Sequence, residues 1–143
     1  MNDEAAIGAL LDRYEAAIRD KNAKATIECL TSNAVAYDLA PPLVIGPRAL
    51  RDPSNIQQWF DTWKGPIHSV AKDMVVRSNG KLGFAFSLRR MTGTKVDGEK
   101  VDLWFRATAA LVKEDGAWKI EHLHNSVPFA MDGSGKALLD LKP

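Results

Sequence analysis

The chain predicts an α+β fold, with helices first and a curved antiparallel sheet after them. Two observations carry this. The N-terminal part holds apolar stripes at helical spacing, and the dipeptides Asn79-Gly80, Asp97-Gly98 and Asp115-Gly116 fall at eighteen-residue intervals through the second half. Such dipeptides favour two-residue hairpin turns, because both central residues of a type I′ turn need positive φ. The runs they separate, 67–78, 82–94, 100–114 and 118–128, share no sequence, so the spacing describes a four-strand meander and not an internal repeat. A sheet of this kind must cover its apolar face with the three helices that precede it.

Each element has its own signal. Asn2 can cap a first helix with Asp3 and Glu4 in its first turn, and Ile7, Leu10, Leu11, Tyr14 and Ile18 make one apolar stripe. Asn22 can cap a shorter helix carrying Ala25, Ile27 and Leu30, and residues 34–39 read as a first strand ended by Pro41-Pro42. After a loop with a helical turn behind Pro47, Ser54 is expected to cap a helix bearing Ile56, Trp59, Phe60 and Trp63, which Gly65-Pro66 stops.

Composition bounds the function. With 143 residues, 45% hydrophobic and 26% charged, the chain reads as one globular domain, residues 1–128, followed by a tail, 129–143. Nineteen Lys+Arg against eighteen Asp+Glu leave a net charge of +1, which gives no electrostatic case for a nucleic-acid or anionic-membrane partner. The lone Cys29 cannot form an internal disulfide, and no Cys/His cluster has zinc-finger spacing. The chain shows no nucleotide fingerprint, P-loop, nucleophile elbow or metalloprotease motif, so no cofactor is expected. The acidic start, without a basic n-region or an apolar h-region, leads us to expect a cytoplasmic address.

Strand alternation groups the chemistry without saying which face is inside. In the third strand of the meander Leu103, Phe105, Ala107, Ala109 and Leu111 share one face, and Asp102, Trp104, Arg106, Thr108 and Ala110 share the other. In the last strand Trp118, Ile120, His122, His124 and Ser126 form one set. Inside a pocket, Arg106 beside Trp104 would capture an anion with its planar fork; outside, it is a surface cation stacked on an indole. His122 and His124 could chelate a metal only with a third ligand such as His68 or Asp38; the plainer reading is that they hydrogen-bond to neighbouring strands, or contact a ligand, with no metal. Trp59 and Trp63 read as core residues that could also wall a pocket. Arg89-Arg90 reads as a solvated surface pair of which at most one member points inward.

Particular phrases carry a family resemblance. Asp38-Leu39-Ala40-Pro41-Pro42-Leu43, Trp59-Phe60, Trp104-x-Arg106-x-Thr108 and the closing stretch from Trp118 to Pro128 resemble the SnoaL-like, ketosteroid-isomerase-like branch of the NTF2-like superfamily, over essentially the whole chain. The resemblance implies an NTF2-like (cystatin-like) cone, a sheet wrapped around the N-terminal helices with an internal pocket. It also implies a homodimer through the outer sheet face, to which we assign Leu103, Phe105 and Leu111. By position Tyr14 matches the ketosteroid isomerase tyrosine that hydrogen-bonds the developing enolate, and Asp38 matches its proton-shuttling base. The second acid of that site is replaced by an alanine, about Ala110, which argues against authentic steroid isomerisation. Taken for itself, Asp38 is either a pocket base or a turn residue capping loop amides, and Tyr14 either a cavity donor or a satisfied core tyrosine. The resulting expectation is a cofactor-independent pocket protein for a small apolar or carboxylate-bearing ligand. It either moves a proton on a carbonyl compound or binds without catalysis.

Overall fold

In a computed structural model residues 2–143 are described. Helix α1 (Asp3–Arg19) begins at Asn2, whose side chain accepts a hydrogen bond from the Ala5 amide at 2.7 Å, and it buries Ile7, Leu10, Leu11 and Ala17. Asn22 caps α2 (Ala23–Glu28) in the same way, and β1 follows at Leu30–Tyr37. A single turn, α3 (Pro47–Leu50), precedes α4 (Pro53–Phe60). The cap of α4 is Asp52, not Ser54: its carboxylate accepts from both the amide and the hydroxyl of Ser54, with Pro53 in the first turn, where a missing N–H is harmless. The helix also ends earlier than its apolar spacing implies. Trp63 belongs to β2 (Trp63–Ser78), paired with Lys95, because the helix closes at Asp61 and Gly65 takes a φ of 80° that a helix cannot use.

The meander follows as β3 (Leu82–Lys95), β4 (Lys100–Glu114) and β5 (Ala117–Ser126), within two residues of expectation apart from the earlier start of β2. Of the three turn dipeptides only Asp115-Gly116 is a two-residue turn with both φ positive, 50° and 78°, joining Glu114 to its partner Ala117. At Asn79-Gly80 and Asp97-Gly98 only the glycine is left-handed, and the Asn79 and Asp97 side chains accept amides two or three residues on. The five strands form one sheet in the order β1-β5-β4-β3-β2, with β1 parallel to β5 and all other pairs antiparallel. This curved, unclosed sheet packed against helices is the NTF2-like, cystatin-like architecture.

Burial decides the faces. Ala109 and Leu111 are buried against helix residues and Phe105 is buried on the same strand face, so they belong to the inner face and not to an outer dimer surface. Asp102, Arg106 and Thr108 stand outside with Trp104 and Ala110. The last strand does not keep one parity: Leu111 pairs with Ile120 and Ala110 with His122, so Glu121 is an extra residue. This bulge turns Trp118 and Ile120 inward but His122, His124 and Ser126 outward. Two apolar clusters result. One gathers Ile7, Leu10, Leu11, Cys29, Leu30, Leu111, Trp118 and Ile120 at one end of the concave side; the other gathers Phe60, Trp63 and Ile67, with Ile18, Ile56, Met91 and Val101 against them. The stretch after Pro128 folds back once, through a Phe129–Ala137 bridge, and leaves Phe129 and Met131 mostly exposed. Among the described residues no helix is long and apolar enough to cross a membrane.

Candidate functional site

The loop after β1 and the end of β5 enclose a cleft of about 670 Å³, lined by Tyr37, Asp38, the segment 39–44, His124, Asn125, Ser126 and Val127. Strand parity builds it. On β1, Ala36 faces the core and Tyr37 faces out, so Asp38 returns to the inner side, where β5 presents Asn125. Asn125 Nδ2 donates to Asp38 Oδ1 at 3.2 Å, and the Leu39 amide donates to the same oxygen at 2.7 Å. Oδ2 has no partner among the described residues. Asp38 therefore both caps its loop and presents an exposed carboxylate in this cleft.

Behind Asp38 stands Tyr14, partly buried against the first apolar cluster. Burial pushes its phenol well above the usual tyrosine range, and the negative charge of Asp38 adds to the effect, as does Cys29, while Arg89 opposes it. The phenol is thus held protonated, able to donate a hydrogen bond and unable to serve as a base near neutral pH. Tyr14 lies close enough for the Asp38 charge to act on its phenol, while Asp38 itself is exposed and Tyr14 does not line the cleft.

The other expected residues divide. His124 lines the outer lip of the cleft, and its ring meets Tyr37 edge-on at 5.4 Å. His122 Nδ1 lies 2.7 Å from the Val35 carbonyl and packs under Tyr37 at 4.6 Å, a bond to the neighbouring strand. His68 is on the outer face of β2, three strands from β5 and so about 14 Å away, too far to share a metal with the histidine pair. Among the described residues no group of three or more His, Cys, Asp or Glu is placed to hold a metal ion. Trp104 and Arg106 face outward, where Arg106 Nε donates to Ser126 Oγ at 3.1 Å, so Arg106 is not on the inner side with Tyr14. Trp63 is buried in the second apolar cluster, Trp59 meets it edge-on at 5.9 Å but is itself exposed, and neither lines the cleft.

The residue missed in the sequence is Arg89. The Arg89-Arg90 pair suggests a solvated surface pair with at most one member inward, and only Arg90 is exposed, held by two bonds of 2.8 Å to Asp102. Arg89 points inward with its side chain 11% exposed, donates from Nε to Ser69 Oγ at 3.0 Å and pairs with Glu15 of α1 through Nη2. Its signal was its parity with Ala85 and Ser87, a small-residue set easily mistaken for the outer face beside Phe84, Phe86 and Leu88.

Comparison with known proteins agrees with this architecture. The family model of the SnoaL-like domain matches residues 7–130. No curated protein matches the chain. Among solved structures, an NTF2-like protein of unknown function from Pseudomonas putida is 28% identical, covering 98% of this chain and 96% of that one with a TM-score of 0.85. A dehydratase candidate of the NTF2-like family from Streptomyces avermitilis is 13% identical over 88% of this chain and 96% of that one, TM-score 0.76. A protein with a cystatin-like fold from Nostoc punctiforme is 14% identical over 91% and 94%, TM-score 0.71.

Proposed function

The chain belongs to the SnoaL-like domain family, and from that premise we propose that it is a cofactor-independent small-molecule pocket protein that moves a proton on an apolar carbonyl compound. The observation that carries this reading is the pairing of a mouth carboxylate, Asp38, with a buried phenol held protonated, Tyr14. In the reaction Asp38 takes the proton from the carbon next to the carbonyl, and the C–H electron pair moves into the enolate, whose oxygen accepts a hydrogen bond from Tyr14. Return of the proton to another carbon gives isomerisation. Expulsion of a β-hydroxyl, which leaves as water with the proton that Asp38 has taken, gives the dehydration that the name of the Streptomyces neighbour suggests for that protein. The inward β4 positions Leu103, Phe105, Ala107, Ala109 and Leu111 are all apolar, so no second acid comes from that strand, and steroid isomerisation is disfavoured. The same absence favours the second reading, a pocket that binds without turnover.

The test is proton exchange. A panel of cyclic ketones in deuterated buffer should lose α-protons faster with the protein than without it. Asp38→Asn should reduce that gain by at least a hundredfold. Exchange unchanged in Asp38→Asn would assign the base elsewhere, and no exchange with any ketone would leave the binding reading.

A further inference from the structure

Among the described residues only Thr31 Oγ1 and Trp63 Nε1 are side-chain polar atoms both sealed from solvent and unpaired. Arg89 Nη1 and Ser87 Oγ have no hydrogen-bond partner among the described residues either, and neither is one of those sealed atoms. Ser87 and Arg89 are two apart on the inward face of β3, about 7 Å along the strand. Asn125, Ala107 and Ser87 lie in one cross-strand row, since Asn125 pairs with Ala107 and Ala107 with Ser87. Two strand spacings, about 10 Å, thus separate the Asp38–Asn125 end of the row from the Ser87–Arg89 end. The middle of the row is an alanine methyl.

We propose that Arg89, with Ser87, is the anion anchor of the concave side and that the ligand is a keto acid whose carboxylate lies about one ring-width from its enolisable carbon. This rests on the reading of Asp38 and Tyr14 as the proton-transfer pair. A guanidinium placed in a half-closed interior is costly without an anion, and Glu15 answers only part of its fork. Nη1 still offers two N–H donors, which with the Ser87 hydroxyl can hold both oxygens of a carboxylate. Glu15 and Ser69 fix the plane of the guanidinium, and Asp12 adds its negative charge from α1. A carboxylate bound at Ser87–Arg89 lays the body of the ligand over Ala107 and brings its far end to Asp38.

The test uses 4-oxocyclohexanecarboxylate and its neutral methyl ester as probes of the full-length protein, with binding read by calorimetry and by ¹⁵N spectra of the arginine Nε–H groups. The acid should bind at least tenfold more tightly than the ester and shift the Nε–H signal of Arg89. Arg89→Lys keeps a charge but loses the fork and should weaken the acid with little effect on the ester. Arg89→Gln strands Glu15, so the double variant Arg89→Gln/Glu15→Gln, which removes both charges together, is the folding-safe control and should abolish the preference. Glu15→Gln alone should tighten the acid. Equal affinities, a preference retained in the double variant, shifts centred on Arg106, or no binding of the acid at millimolar concentration would each overturn the proposal. Asp38→Asn separates the two readings. If acid preference survives there while exchange is lost, both stand; exchange without acid preference sinks only the anchor, and preference without exchange in the parent protein sinks only the proton transfer.

Discussion

Tyr14 carries two roles that one substitution can separate. Its phenol is held above the ordinary value near 10, so the folded chain keeps the proton that an unfolded chain releases. The resulting stability is fully present below about pH 10 and is lost as the pH rises through the folded value. Urea midpoints at pH 8 and pH 11 should therefore fall further for the parent protein than for Tyr14→Phe, which has nothing to ionise; equal losses would mean that the phenol is not insulated. At pH 7 the same variant should slow ketone exchange by roughly ten- to a thousandfold through loss of the enolate donor. Tyr14 and Asp38 were legible because a helix stripe and a strand end fix their positions from local sequence. Arg89 was not, since its partners Glu15 and Ser69 come from two other elements and nothing local announces the pairing.

At the level of elements, the close approach of β3 to the start of β2 is a sensitive joint. A Cβ on Gly93 would lie 2.8 Å from the buried Trp63 ring and 3.2 Å from the Pro66 carbonyl, neither of which can swing away. Gly93→Ala should cost about 1–3 kcal/mol of stability by overpacking, measured by chemical denaturation, and an unchanged midpoint would show that Trp63 can shift. The meander itself was plain from its turn dipeptides, which act through local φ preferences. The faces were not. On β3 the bulky set Phe84, Phe86 and Leu88 is outside and the set Ala85, Ser87, Arg89 and Met91 inside, the reverse of what hydrophobicity suggests. On β5 a single extra residue, Glu121, reverses the parity halfway, which no period-two reading can anticipate.

For the whole molecule, that reversed strand suggests what the outer face does. Phe84 and Phe86 stack at 6.1 Å and remain 46% and 45% exposed, with Leu82 and Val70 also open on that side. We propose that two copies pack through this face, with Phe84 and Phe86 in place of Leu103, Phe105 and Leu111. Sedimentation should give twice the chain mass at micromolar concentration, and Phe84→Asp/Phe86→Asp should give single chains that remain folded; a parent protein sedimenting as single chains would exclude the dimer. The parallel pairing of β1 with β5 has a different consequence. The Asp38–Asn125 contact spans 87 residues, whereas each meander pair closes over a short turn. Loop-closure entropy therefore orders events in time, with the meander free to zip early and the first strand docking on the last one late. Asp38 meets its partner only at that docking step, so the mouth of the site is among the last features a refolding chain acquires, and recovered exchange activity should lag behind recovered sheet signal.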